Sequence, residues 1–179
     1  MNRRVIILSA ALIAISPCAS LAQSTQAASS TIANDLPAAD KEFVQAASMS
    51  GSTEIDAGKL AKKLSQDKDV HSFANHMIID HTKLTMQLKM AAPHGVTVPK
   101  DNSDTAVLDS IKGLRGKEFD TAYIREVALK DHQKAVEAFK KEAESGQNAD
   151  LKKAAQKALP EIQEHLKMAQ DLAAKKGVQ

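Results

Sequence analysis

The chain is poor in the residues that most recognition chemistry needs. Its 179 residues include no tryptophan, one tyrosine and four phenylalanines, too few for the aromatic platforms on which bases or sugars stack. The one cysteine, Cys18, stands close to the amino terminus, so the rest of the chain has neither a disulfide nor a thiolate ligand. Neither sign of charge prevails, with 24 Lys and Arg against 22 Asp and Glu, which leaves no electrostatic footing for nucleic acid. There is no phosphate loop, dinucleotide fingerprint or nucleophile elbow. Long apolar runs are missing too. The longest apolar stretch near the start, Val5 to Ile15, falls short of the roughly 20 residues a membrane span requires.

That short run reads as part of an export signal. Arg3 and Arg4 precede it, and Ser20 and Ala22 supply the small residues of a cleavage site, the three parts of a secretory signal peptide. A cut after Ala22 makes 1–22 the signal and leaves 157 of the 179 residues, an exported, periplasmic protein. Arg3 and Arg4 leave with the signal, so 22 basic residues then face 22 acidic ones. A lipid on Cys18 is the alternative, but Pro17 stands where such sites take Gly, Ala or Ser.

Alanine, leucine, lysine and glutamate dominate what remains, and these are helix formers. Residues 23–39 are rich in Ser, Thr and Ala without periodicity and read as a flexible leader. From 40 to 176 the apolar spacing alternates between three and four, the seam of helices packed on helices. Asp40 can cap a first helix to about Leu64, with Phe43, Ala47, Ser50, Glu54, Ala57, Ala61 and Leu64 in its stripe. Asp67 can cap a second to about Ala92, with Val70, Ala74, Met77, His81, Leu84, Leu88 and Ala91 inward, stopped by Pro93 and Gly95. A connection from Pro93 to Gly116 holds a short helix that Ser103 or Asp104 can cap. The third long helix, Lys117 to about Glu144, carries Phe119, Ala122, Leu129, His132, Val136, Phe139 and Ala143. The fourth starts at Asp150 with Leu151, Ala155, Ala158, Ile162, His165, Ala169 and Leu172, and Pro160 should kink it rather than break it. Two short connections flank a long one. The fold class is all-α, a four-helix bundle of two antiparallel hairpins joined by a crossover.

Three acid–imidazole dipeptides recur at mid-helix: Asp80-His81, Asp131-His132 and Glu164-His165. Counted from Asp67, Glu54 lies 13 residues back and His81 14 forward; counted from Gln147, His132 lies 15 back and His165 18 forward. All four therefore fall near one level of the bundle. Imidazoles with a carboxylate suit a divalent Zn, Fe, Mn or Cu ion. Glu54, His81, His132 and His165 are the expected ligands, and Asp80, Asp131 and Glu164 are expected either to orient a histidine of a neighbouring helix or to ligate themselves. Glu161, one turn before His165, and Glu126 are further oxygen donors. The same residues admit a metal-free reading: a buried acid hydrogen-bonded to histidine is satisfied, and it fixes helix register. Met86, Met90 and His94 at four-residue steps make a weaker, softer candidate, while His71 and His76 lie off the stripe and read as solvated.

At these positions the chain resembles a family of bacterial exported proteins, domain of unknown function 4142. The likeness rests on Phe43-Val44 with Glu54, on Phe73-Ala74 with Met77 and Asp80-His81-Thr82, and on Phe119-Asp120 with Tyr123. Asp131-His132-Gln133-Lys134, and Leu159-Pro160 with His165-Leu166, complete it. The resemblance spans about Asp40 to Lys175 and implies a ferritin-like bundle in the cell envelope, without an activity. Ferritin-like di-iron centres use Glu-x-x-His on two helices. Here Ile78, Leu129 and Ile162 stand three residues before the three histidines, so a mononuclear or a purely structural centre fits better than a di-iron oxidase.

Overall fold

A computed structural model describes residues 36–179; the expected signal peptide, Cys18 and all but the end of the expected leader lie outside the described residues. The bundle is built from α1 (Ala38–Leu64), α2 (Lys68–Ala91), a third rod and α6 (Ala149–Lys176). The third rod is continuous but composite: α4 (Gly116–Ala122), a π-helical segment (Tyr123–Asp131) and α5 (His132–Ser145). The short α3 (Thr105–Lys112) lies in the crossover. The expected all-α topology is what forms. No helix among the described residues is long and apolar enough to cross a membrane.

The helix starts follow from side chains placed to satisfy free backbone donors. Asp67 accepts from the Asp69 and Val70 N–H groups, Asp104 from Ala106 and Val107, and Asn148 from Asp150 and Leu151, each worth about 1 kcal/mol. Asp40 differs from its expected role. The helix begins two residues before it, at Ala38, and Leu36 is already buried. The Asp40 carboxylate, fully buried, reaches across the bundle instead and accepts from the N–H groups of Gln147 (3.0 Å) and Asn148 (2.8 Å). It thereby ties the first turn of α1 to the α5–α6 turn. α6 runs through Pro160 without a break.

Glu142 lies beside that clasp, 3% exposed. Burial, and then the Asp40 carboxylate next to it, push its carboxyl up to about 7. A pKa raised in the folded state gives stability that is complete below the ordinary carboxylate value and is lost as pH rises through about 7. Glu142→Gln should therefore stabilise the fold at pH 8, by on the order of 1 kcal/mol at an end of the bundle that water partly screens, and raise the melting temperature accordingly. The gain should fade by pH 5. Thermal melts across this range check it, and a gain equal at both pH values would rule out the raised carboxyl.

The crossover is stitched to α1. Asp104 N–H donates to Thr53 Oγ1 (2.8 Å), Ser103 Oγ to Asp56 (2.8 Å), Asn102 Nδ2 to Ser48 Oγ (3.0 Å) and Ser52 Oγ to Asn102 Oδ1 (3.0 Å). α1 packs beside α2 and beside the third rod, while α2 packs also on α6. At Gly58 a Cβ would stand 2.8 Å from Ile78 Cγ1 and 3.1 Å from the Ala74 carbonyl, so glycine is what lets α1 and α2 approach so closely.

The core has two apolar parts. One gathers Leu64, Val70, Phe73, Met77, Ile111, Phe119 and Tyr123 with Leu172. The other gathers Leu36, Phe43, Val44, Leu84, Leu88, Phe139, Leu151 and Ile162. Phe43 and Phe139 meet edge-on at 5.1 Å, a contact worth about 1 kcal/mol beyond its buried area. On each long helix a polar residue separates the two parts: Glu54, His81, His132 or His165. The expected stripes of α1, α2 and α6 are the buried faces, except that Ser50 and Ala91 are only half-buried. The third rod departs from expectation. Ala122, Leu129, Val136 and Ala143 are half-buried, and Tyr123, Ile124, Val127, Ala128 and Ala135 face inward instead. The π turns cause this, because widening the helix rotates the side chains that precede His132.

Candidate metal centre

Three imidazoles from three helices meet in the middle of the core. His81 of α2, His132 at the start of α5 and His165 of α6 are 2%, 1% and 1% exposed. Their ring centroids form a nearly equilateral triangle with sides of 5.4, 5.2 and 5.5 Å. One nitrogen from each lies within 4.8 Å of the others. The closest pair is His81 Nε2 and His132 Nε2, at 3.4 Å.

Hydrogen bonds fix the tautomers of two of the three rings. His132 Nδ1 is 3.0 Å from the Ala128 carbonyl; a carbonyl only accepts, so Nδ1 bears a proton. The π segment creates that opportunity: the His132 backbone N–H turns to the Leu129 carbonyl, and the Ala128 carbonyl accepts from the ring. On the neutral ring, Nε2 is then a bare lone pair facing His81. His165 Nε2 lies 3.0 Å from Asp80 Oδ2, so it donates to the carboxylate. Its Nδ1 is left buried with no hydrogen-bond partner.

Glu54 does not join the three as a fourth donor in that group. It sits behind His132, its Oε1 3.1 Å from Nδ1, with both side chains fully buried. The ring N–H is aimed at the Ala128 carbonyl, so both Glu54 oxygens remain without a hydrogen bond. A carboxylate in that condition is costly unless a positive charge stands near. The titration of the rings reflects this. Burial holds His81 well below the ordinary histidine value, and His132 and His165 beside it lower it further. Burial also presses His132 down, but the Glu54 carboxylate outweighs it and leaves the group raised. His165 is lowered by burial, partly offset by Asp80. The layer thus sets two rings biased to the neutral form, His81 and His165, beside one that Glu54 biases to the charged form, His132, around a place that asks for a cation, either a proton on His132 or a metal ion.

The other expected donors are placed as follows. Asp80 orients His165. Asp131 is held by Ser50, whose Oγ donates at 2.9 Å; burial and the nearby Glu54 charge raise its carboxyl to about 6. Glu161 is occupied by Lys83, which donates to both its oxygens at 3.2 Å. Glu126 is bound by Lys130 at 2.8 Å, and Glu164 is exposed. Met86 and Met90 are exposed, at 59% and 77%. His71 bonds the Ser65 carbonyl at 3.0 Å. His76 is exposed, as read from the sequence, but it also joins the assembly: its Nε2 lies 3.0 Å from Asp80 Oδ2, and its ring stands edge-on to His165 at 5.9 Å. The only sequence signal for it was the four-residue step to Asp80, which puts both on one helix face.

A tetrahedral ion with nitrogen ligands at about 2.05 Å needs ligand atoms about 3.4 Å apart, which is the spacing of the two Nε2 atoms. Two rings biased to the neutral form, one ring nitrogen without a partner at His165 Nδ1 and a carboxylate without a hydrogen bond behind His132 fit a divalent ion. Toward His81 there also opens an apolar cavity bordered by Phe43, Ala47, Leu84, Phe139 and Ile162.

Among known structures, the chain is similar in fold to a DUF305 protein from Streptomyces coelicolor, described as secreted. The TM-score is 0.63 at 17% identity, over 79% of this chain and 94% of that one. No curated protein matches the chain. The model of the family described as a domain of unknown function, DUF4142, matches residues 22–172, nearly the whole bundle with every residue of the layer, and the chain belongs to that family.

Proposed function

We propose that this is an exported metal-binding bundle protein that holds one divalent transition ion with His81, His132 and His165. The observation that carries the reading is the pair of buried Nε2 atoms 3.4 Å apart, with a third imidazole nitrogen within 4.8 Å. Glu54 supplies compensating charge from behind His132, and Asp80 orients His165, the roles that carboxylates take around metal-bound histidines. Three imidazoles and no directly placed carboxylate favour Zn²⁺ or Cu²⁺ over Mn²⁺, which prefers oxygen ligands. Export is supported by the basic, then apolar, then small-residue start of the sequence and by the secreted description of the DUF305 neighbour. A periplasmic setting suits an ion-holding role, because the bundle then meets ions from outside the cell first.

The test is elemental analysis and titration of the purified exported protein with Zn²⁺ and Cu²⁺. One ion per chain is expected, lost in His81→Ala and retained in His94→Ala. A wild-type chain that binds neither ion, or a His81→Ala chain that binds as wild type does, would overturn the proposal.

A further inference from the structure

The three triad histidines are almost wholly shielded, so an ion needs a way in. The structure offers one set of donors that reaches from solvent to the layer. On the α2–α6 face, His76, Asp80 and His165 place one donor atom each within 4.8 Å of one another. Their side chains grade from 51% exposed at His76 through 21% at Asp80 to 1% at His165. Asp80 Oδ2 stands 3.0 Å from both His76 Nε2 and His165 Nε2. His165 belongs to both groups.

We propose that His76, Asp80 and His165 form an outer capture site for a divalent transition ion, which His165 then passes to the buried triad. The inference rests on the triad reading above. Two nitrogens and a carboxylate oxygen, half open to water, suit first capture of Zn²⁺ or Cu²⁺ from solution. The hand-over follows from the shared ring. With the ion outside, His165 binds through Nε2, and its proton sits on Nδ1. With the ion inside, Nδ1 binds, and the proton sits on Nε2, where it donates to Asp80. One proton moves between the two ring nitrogens as the ion moves inward, so no other acid or base is consumed. Because each state needs the opposite tautomer, the two sites are filled one at a time. The buried Nδ1 has no hydrogen bond to give up, which leaves it free to be the inner ligand, and Asp80 is common to both states as outer ligand and then as inner support.

Rapid-mixing uptake of Zn²⁺ from a chromophoric chelator tests this, read beside equilibrium stoichiometry. His76→Ala, an exposed change that leaves the core intact, should slow loading by about tenfold or more, with one ion per chain still bound at equilibrium. His76→Glu, which restores an oxygen donor, should recover most of the rate. Loading of His76→Ala as fast as wild type would overturn the capture site while leaving the triad standing. Two ions bound per wild-type chain would overturn the one-at-a-time relay. A wild-type chain that takes up neither Zn²⁺ nor Cu²⁺ would instead remove the triad reading and this inference with it.

Discussion

Adding Zn²⁺ to the metal-free protein should raise its melting temperature by about 10 °C. At a hundredfold excess over the dissociation constant, a ligand specific to the folded state stabilises it by about 2.7 kcal/mol. A bundle of this size shifts by roughly 4 °C per kcal/mol. The structure gives a reason to expect at least that much. Without an ion, the layer holds a carboxylate with no hydrogen bond and a ring nitrogen with none, and the ion relieves both costs at once. His81→Ala and His165→Ala should abolish the shift, and differential scanning calorimetry with and without the ion measures it. A shift of the same size in His81→Ala would mean that the ion binds elsewhere.

His132→Leu should cost about 3–5 kcal/mol even with no metal present. Leucine fills most of the space, but it leaves Glu54 fully buried with no positive group beside it. Pairing the change with Glu54→Leu should restore most of that stability, because two apolar side chains joining the clusters on either side replace an ion pair that was expensive to desolvate. Denaturant melts of the four proteins in this cycle give the coupling. The cycle also separates the two uses of the layer. If it exists to hold an ion, the double variant is stable, uniquely folded and unable to bind metal. If it exists to set register, the double variant loses cooperativity, seen as a reduced denaturant slope.

Much of the bundle was legible because its signals are local. Asp67 and Asp104 cap where a side-chain acceptor precedes a periodic apolar run, and the stripes of α2 and α6 follow from a three-and-four spacing that only one helix face can satisfy. Residue counts from the two tight turns sufficed to bring Glu54, His81, His132 and His165 to one level, because helices rise by a fixed amount per residue. What escaped depends on partners distant in the chain. Asp40 looks like a cap until the α5–α6 turn presents two N–H groups to it. His76 lies off the core stripe, and only the angle at which α6 crosses α2 brings His165 beside it. The π segment has no compositional mark; it is set by which carbonyl each N–H chooses, and so the phase of the third rod was read one position out over part of its length. Glu54 was expected to touch the ion, yet the wide turns before His132 put that ring's Nδ1 between the carboxylate and the centre.

The seams between the crossover and α1 carry a consequence for traffic through the molecule. Ser48, Ser52, Thr53 and Asp56 hold the crossover against α1, so that flank of the bundle is shut by covalent chain. Among the described residues the α2–α6 flank is bridged by side chains alone, Lys83–Glu161 and His165–Asp80 near the layer and Lys175 and Lys176 with Asp69 at one end. If the layer holds an ion, the graded donors on the α2–α6 face serve its departure as well as its arrival, so His76→Ala is expected to slow release to a chelator along with loading.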